Sequence, residues 1–80
     1  RNALKVARLG QELGPLTRPD AELFDLVGTL RYRQRVVIVA RYWGGWSEAE
    51  IARMLGCRPG TVKSLASRAL ARLRQEVGER

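Results

Sequence analysis

Hydrophobic residues along the 80-residue chain recur mostly at helical spacing. In "PDAELFDLVGTL", Leu23, Leu26, Val27 and Leu30 fall at i, i+3, i+4 and i+7, one face of an amphipathic helix. Asp20 stands where it can cap that helix, and Glu22 lies in its first turn, where negative charge suits the dipole. The next segment, "RYRQRVVIVARYW", contains four consecutive β-branched residues, Val36 to Val39, a local strand signal. No second strand is in sight to pair with it, and a length of about a dozen residues suits a helix. The period predicts Val36, Val39, Ala40 and Trp43 on its inward face. "GGWSEAEIARMLG" then shows a glycine turn at Gly44-Gly45 and a capping box, Ser47 with Glu50. Ile51, Ala52 and Leu55 form its apolar stripe, and Gly56 stands where a left-handed residue ends a helix.

The last predicted helix runs from about Pro59 to Val77. Proline is acceptable in a first turn, where its missing N–H has no helical partner anyway. Val62, Leu65, Ala66, Ala69, Leu70, Leu73 and Val77 fall in one arc at 100° per residue. Opposite lies a strip of small residues: Gly60, Ser64, Ser67 and Ala71. Lys63 and Arg74 flank it on one side, Arg68 and Arg72 on the other. The first 19 residues read differently. "RNALKVARL" can form two helical turns, but Gly10, Gly14, Pro15 and Pro19 cut it short, so residues 1–19 are expected to be a linker ordered near its start. The expected fold is all-α: a small bundle of four main helices at most, ending in a helix-turn-helix with a long second helix. Residues 20–77 form that domain and 78–80 a tail.

Charge sharpens this picture. The formal net charge is +7. Acids and arginines balance over residues 20–57, whereas residues 58–74 carry Arg58, Lys63, Arg68, Arg72 and Arg74 with no acid. Positive charge concentrated on one helix is the footprint of a polyanion partner. The chain has one cysteine, Cys57, and no histidine, which leaves no internal disulfide and no cysteine-based zinc site. No nucleophile–base pair or metal-ligand cluster stands out, so an enzyme is not expected, nor any cofactor. No apolar run approaches the ~18 residues of a membrane span. An intracellular protein without membrane attachment is expected, and a start at Arg1 suits a piece of a longer one. Cys57 is expected to pack as a small apolar group. Of Trp43 and Trp46, at least one is expected in the core.

Two helices joined by a short glycine turn, the second basic, make a helix-turn-helix. The small strip has a physical reading: a helix enters the DNA major groove only if its leading face lets the backbone approach base edges. Thr61 and Ser64 can meet phosphates or base edges, Lys63 and Arg68 can reach guanine, and rim cations such as Arg72 can reach the groove walls.

The stretch "YWGGWSEAEIARMLGCRPGTVKSLASRALARLR" resembles region four, the C-terminal promoter-binding domain of bacterial sigma factors. It is most similar to the extracytoplasmic-function group of actinobacteria. The elements that carry the likeness are S-x-x-E-I-A-x-x-L-G-C, G-T-V-K-S and S-R-A-L-A-R-L-R, and the likeness covers roughly residues 20–76. The resemblance implies recognition of the −35 promoter element through Arg58, Pro59, Gly60, Thr61, Lys63, Ser64, Ser67 and Arg68. It also implies docking on the β-subunit flap of RNA polymerase, control by an anti-sigma factor, and a cytoplasmic, nucleoid-associated location. The domain that opens the −10 element would lie upstream, with residues 1–19 as the end of the connection. Two positions depart from the pattern: Arg58 replaces a helix-capping serine or a proline, and "LRYRQR" lacks the proline usual before the middle helix. A response-regulator output domain shares the E-I-A…T-V-K pattern but normally carries a histidine after it. A module that binds only an acidic protein partner is the other alternative.

Overall fold

The computed structural model describes residues 2–14, 16 and 19–78, the side chains of Pro19 and Asp20 apart. Among these residues every regular element is helical: α1 (Ala3–Leu13), α2 (Pro19–Gly28), α3 (Tyr32–Ile38), a π-helical turn (Val39–Trp43) continuing α3, α4 (Glu48–Leu55) and α5 (Pro59–Gly78). The cap expected of Asp20 and the end of the tail, residues 79–80, lie outside the described residues.

Spacing along the chain predicts four main helices at most; a fifth, α1, is present inside residues 1–19. Gly10 does not break it. It is buried, and a Cβ there would stand 3.7 Å from Leu23 Cδ1. Val6, Leu9 and Leu13 repeat at helical spacing around it, with Leu9 fully buried. Burying that stripe offsets the roughly 1 kcal/mol a helical glycine costs.

The core has two parts. One gathers Leu9 and Leu13 of α1, Leu23, Leu26 and Val27 of α2, then Leu30, Ile38, Ala69 and Leu73. The other joins Val37, Ile51, Ala52, Val62 and Ala66. Helices α3 and α5 reach into both parts, so α5 is the spine against which everything else is set. No polar or charged side chain is buried among the described residues. Among the described residues, apolar burial is what holds α5 in place, at about 25 cal/mol per Å² removed from water.

The inward face of α3 differs from the expected one. Val37 and Ile38 are fully buried, Val36 and Ala40 only half-buried, while Val39 and Trp43 are exposed at 44 % and 38 %. The four-residue apolar run sweeps about 300° of helix, so no single core can take all of it. The side that meets α5 is centred on Val37 and Ile38.

The π turn ends α3 in a particular way. The Gly44 amide donates to the Val39 carbonyl at 3.0 Å and the Trp46 amide to the Ala40 carbonyl at 3.0 Å. A Cβ on Gly44 would lie 2.7 Å from the Ala40 oxygen, so only glycine permits this exit. The Asn2 side-chain amide donates to the Trp43 carbonyl, tying the start of α1 to the same turn.

Candidate nucleic-acid interface

The interface is built from α4, a short turn and α5. Ser47 opens α4 in extended conformation. Its Oγ accepts from the Glu50 amide at 3.2 Å, and the Glu50 carboxylate accepts from the Ser47 amide at 2.9 Å. The bond from the Ser47 amide foremost, then the Ser47 side chain, holds the Glu50 carboxyl below its ordinary range. The other end of α4 is closed by Gly56 in the left-handed region, φ 69° and ψ 38°. Its amide reaches back to the Ala52 and Arg53 carbonyls, and the Cys57 amide donates to the Ala52 carbonyl at 3.0 Å. A reversal this tight turns α5 across α4. Small Ala52, nearly fully buried beside Val62 and Ala66, lets the two helices meet closely. Cys57 is half-buried against the same cluster, in keeping with an apolar packing role.

α5 then presents its two faces as its period predicts. Val62, Ala66, Ala69 and Leu73 are buried, with Leu65, Leu70 and Val77 half-buried beside them. Gly60, Ser64, Ser67 and Ala71 are exposed. These four occupy an arc of about 60°, and Gly60 to Ser67 spans about 10 Å along the axis. A B-DNA major groove is ~12 Å wide, so the strip fits within it. Pro59, Lys63 and Arg68 are exposed along the same two to three turns, and Thr61 is half-buried.

Arg58 precedes the helix, exposed, with its carbonyl accepting from the Thr61 amide at 2.9 Å and the Val62 amide at 3.3 Å. Its guanidinium has no acceptor atom and cannot cap the helix. It instead brings positive charge to the positive dipole end, an unfavourable pairing until an anion arrives. Arg72 stands apart from the group. It lies about 18 Å beyond Gly60 along the axis and faces Glu76 at 4.0 Å, on the rim of the strip. The charges of Arg74 and Arg41 act on Tyr42, which packs against the larger core part. Burial chiefly, then Glu12, push that phenol above its usual value against both arginines.

One surface escaped the sequence patterns. Trp43 and Trp46 both stay outside the core, contrary to the expectation for at least one of them. With Phe24, Val39 and Met54 they line an apolar trench on α2, α3, the π turn and loop after it, and α4. The available signal was the length of the Val36–Val39 run, too wide for one helical face.

Comparison with known proteins agrees with this geometry. The sequence profile of the family described as "Sigma-70, region 4" matches residues 20–73. The RNA polymerase sigma-E factor of Streptomyces avermitilis is 48 % identical over 60 residues, 75 % of this chain and 34 % of that protein. Its counterpart in Streptomyces coelicolor is 49 % identical over 57 residues, 71 % of this chain and 32 % of that one. The ECF RNA polymerase sigma factor SigL of Mycobacterium tuberculosis is 46 % identical over 57 residues, 68 % of this chain and 32 % of that protein. The chain thus spans about a third of the length of these relatives. No solved structure matches it. The matched residues hold the capped α4, the left-handed Gly56 and the small-faced α5, and the chain belongs to the sigma-70 region 4 family.

Proposed function

We propose that this domain recognises the −35 element of promoter DNA as the C-terminal domain of an alternative sigma factor, and so directs transcription initiation. The observation that carries the reading is the exposed Gly60, Ser64, Ser67 and Ala71 strip between Lys63 and Arg68. Its small side chains let the α5 backbone sit deep in a major groove, while Arg58, Lys63, Arg68 and Arg72 hold phosphates or guanine edges. Pro59 and Thr61 lie at the helix start, beside the amides that favour a phosphate. Few of these residues can read a base bidentately, so sequence-dependent groove shape supplies part of the specificity. The partners that go with this role are the RNA polymerase core, through the β flap, and an anti-sigma factor; the exposed apolar trench supports a protein partner of that kind. The place of action is the cytoplasm, at the nucleoid. Residues 1–19 carry the chain from a preceding domain, with α1 folded onto this one.

The test is selection of bound duplexes from a random pool, followed by titration at several salt concentrations. A single enriched motif is expected. Lys63→Ala should weaken binding and reduce the log–log salt slope by about 1. Ser64→Trp should abolish preference for the motif and leave weak, salt-sensitive binding. Binding that tolerates tryptophan at Ser64 would sink the groove-insertion reading.

A further inference from the structure

Asn2 stands at the N-cap of α1, yet its side chain does not cap α1. Its carbonyl accepts from the Val6 amide at 3.1 Å, as the residue before a helix should. Asparagine is among the best residues there, because its side-chain oxygen can take a free amide of the first turn. Here it takes none: Asn2 lies at φ −105°, ψ 13°, away from the extended backbone that aims a cap. The side chain crosses instead to a segment 41 residues on, where Nδ2 donates to the Trp43 carbonyl. A local bond that would stabilise α1 is given up for a distant one.

The distant bond falls at the exit of the π turn. Backbone pairing there closes with the Gly44 amide on Val39 and the Trp46 amide on Ala40, and the Trp43 carbonyl lies beyond both acceptors. The other end of the Asn2 carboxamide faces Gly45. That glycine has φ 71°, and a Cβ on it would stand 2.7 Å from Asn2 Oδ1 and 3.2 Å from Asn2 Cγ. Two consecutive glycines leave a connection free to take many conformations. The Asn2 side chain holds this one on both sides, by the carbonyl before Gly44 and by the α-carbon of Gly45.

The connection leads straight into the helix-turn-helix, since Ser47, the cap of α4, follows Trp46. The smaller core part, which joins α4 to α5, takes Val37 and Ala40 from the α3 segment. Among the described residues it takes nothing from α1 or α2. The setting of α4 against the rest of the domain therefore depends on how the glycine pair is held.

We propose that Asn2 is a positioning residue for DNA recognition: its carboxamide locks the Gly44–Gly45 connection in one conformation and so fixes the placement of α4 and α5. It acts through the backbone it holds, not by touching DNA. The role rests on the reading of α5 as the DNA-facing helix.

The test is amide hydrogen exchange, followed residue by residue by NMR on the whole chain. Asn2→Asp keeps the size of the side chain and loses the N–H that the Trp43 carbonyl accepts. It also places a carboxylate at the start of α1, where it suits the helix dipole. The Gly44 and Trp46 amides should exchange about fivefold faster, the worth of one hydrogen bond. Amides of α1 should exchange no faster than before, and those of Ala66, Ala69 and Leu73 should be unchanged. A uniform increase across all of them, or none at Gly44 and Trp46, overturns the lock. Gly45→Ala displaces the carboxamide by contact, so adding Asn2→Asp to it should change Gly44 and Trp46 no further. The same fivefold increase on that background also overturns the lock. Coupling to DNA is measured in the unsubstituted chain with the duplex recovered by selection. Binding that requires the locked connection must in turn hold it shut, so saturating duplex should slow Gly44 and Trp46 by about fivefold or more. A duplex that binds and leaves these amides unchanged overturns the positioning role and leaves the lock standing. A chain that binds no duplex fails the DNA reading and takes the positioning role with it, while exchange in the free chain still decides the lock.

Discussion

Leu9→Ala tests whether α1 belongs to the folding unit. Leu9 has no solvent exposure and lies in the larger core part with Leu23, Leu26, Ile38 and Leu73. Truncation loses the transfer energy of the removed groups and leaves a cavity that the three surrounding helices cannot fully collapse. Substitutions of this kind cost about 3 kcal/mol, toward 5 where relaxation is poor. A domain of this size has only ~4–12 kcal/mol in all. At ~4–8 °C per kcal/mol, the melting temperature should fall by roughly 12–24 °C. Leu4→Ala is the matched control, since Leu4 is 82 % exposed on the same helix; its effect should stay within about 0.5 kcal/mol. Thermal unfolding is followed by far-ultraviolet circular dichroism and by tryptophan fluorescence, and the two should coincide. If Leu9→Ala melts no lower than Leu4→Ala, α1 is an appendage and the cooperative domain begins near residue 20.

Ser47→Ala should destabilise by about 1 kcal/mol in the same melts, because the Glu50 amide loses its acceptor. The Glu50 carboxyl titrates lower in the folded than in the unfolded chain. Its contribution is therefore complete above the unfolded value and lost as pH falls through the folded one, and Glu50→Gln should flatten the acid limb of a melting-temperature profile. Gly56→Ala should cost about 1 kcal/mol from left-handed backbone strain alone, since nothing lies within 4 Å of the added Cβ. Gly56→Asn, which tolerates that conformation, should cost less in urea denaturation. Arg58→Ser should move two quantities in opposite directions: stability up by roughly 1 kcal/mol through a new cap, and DNA affinity down with a shallower salt slope. Unchanged affinity and slope would remove Arg58 from the interface.

The DNA-facing half of the molecule was legible because each of its signals is local. A capping box spans four residues, a left-handed glycine one, and the arc of α5 repeats over five turns. The other half depends on what meets what. Gly10 looks like a breaker until Leu23 is known to lie against α1; Gly14, at φ 112°, does end that helix. The Val36–Val39 run gives a period but not its phase, and the phase is set by Val62, Ala66 and Leu73 on α5. Trp43 and Trp46 look like core residues by size. They remain outside because α1 and α5 already enclose the available interior. The trench went unseen for the same reason: spacing reveals an apolar face, and only packing tells which of two faces is covered.

The π turn at Val39–Trp43 has a consequence for length variation. A turn that holds one residue more than an α-helical turn behaves like a one-residue insertion absorbed without breaking the helix. Deleting Ala40 would restore an ordinary ladder and still leave a continuous helix. Everything after it would then rotate by about 100° and draw back by about 1.5 Å. Ser47 and α4 would swing round with it, and α5 could no longer lie along Val37 and Ile38. The widened turn is thus a phase adjuster between trench and groove. Substitutions in this segment should be tolerated far better than any change in its number of residues.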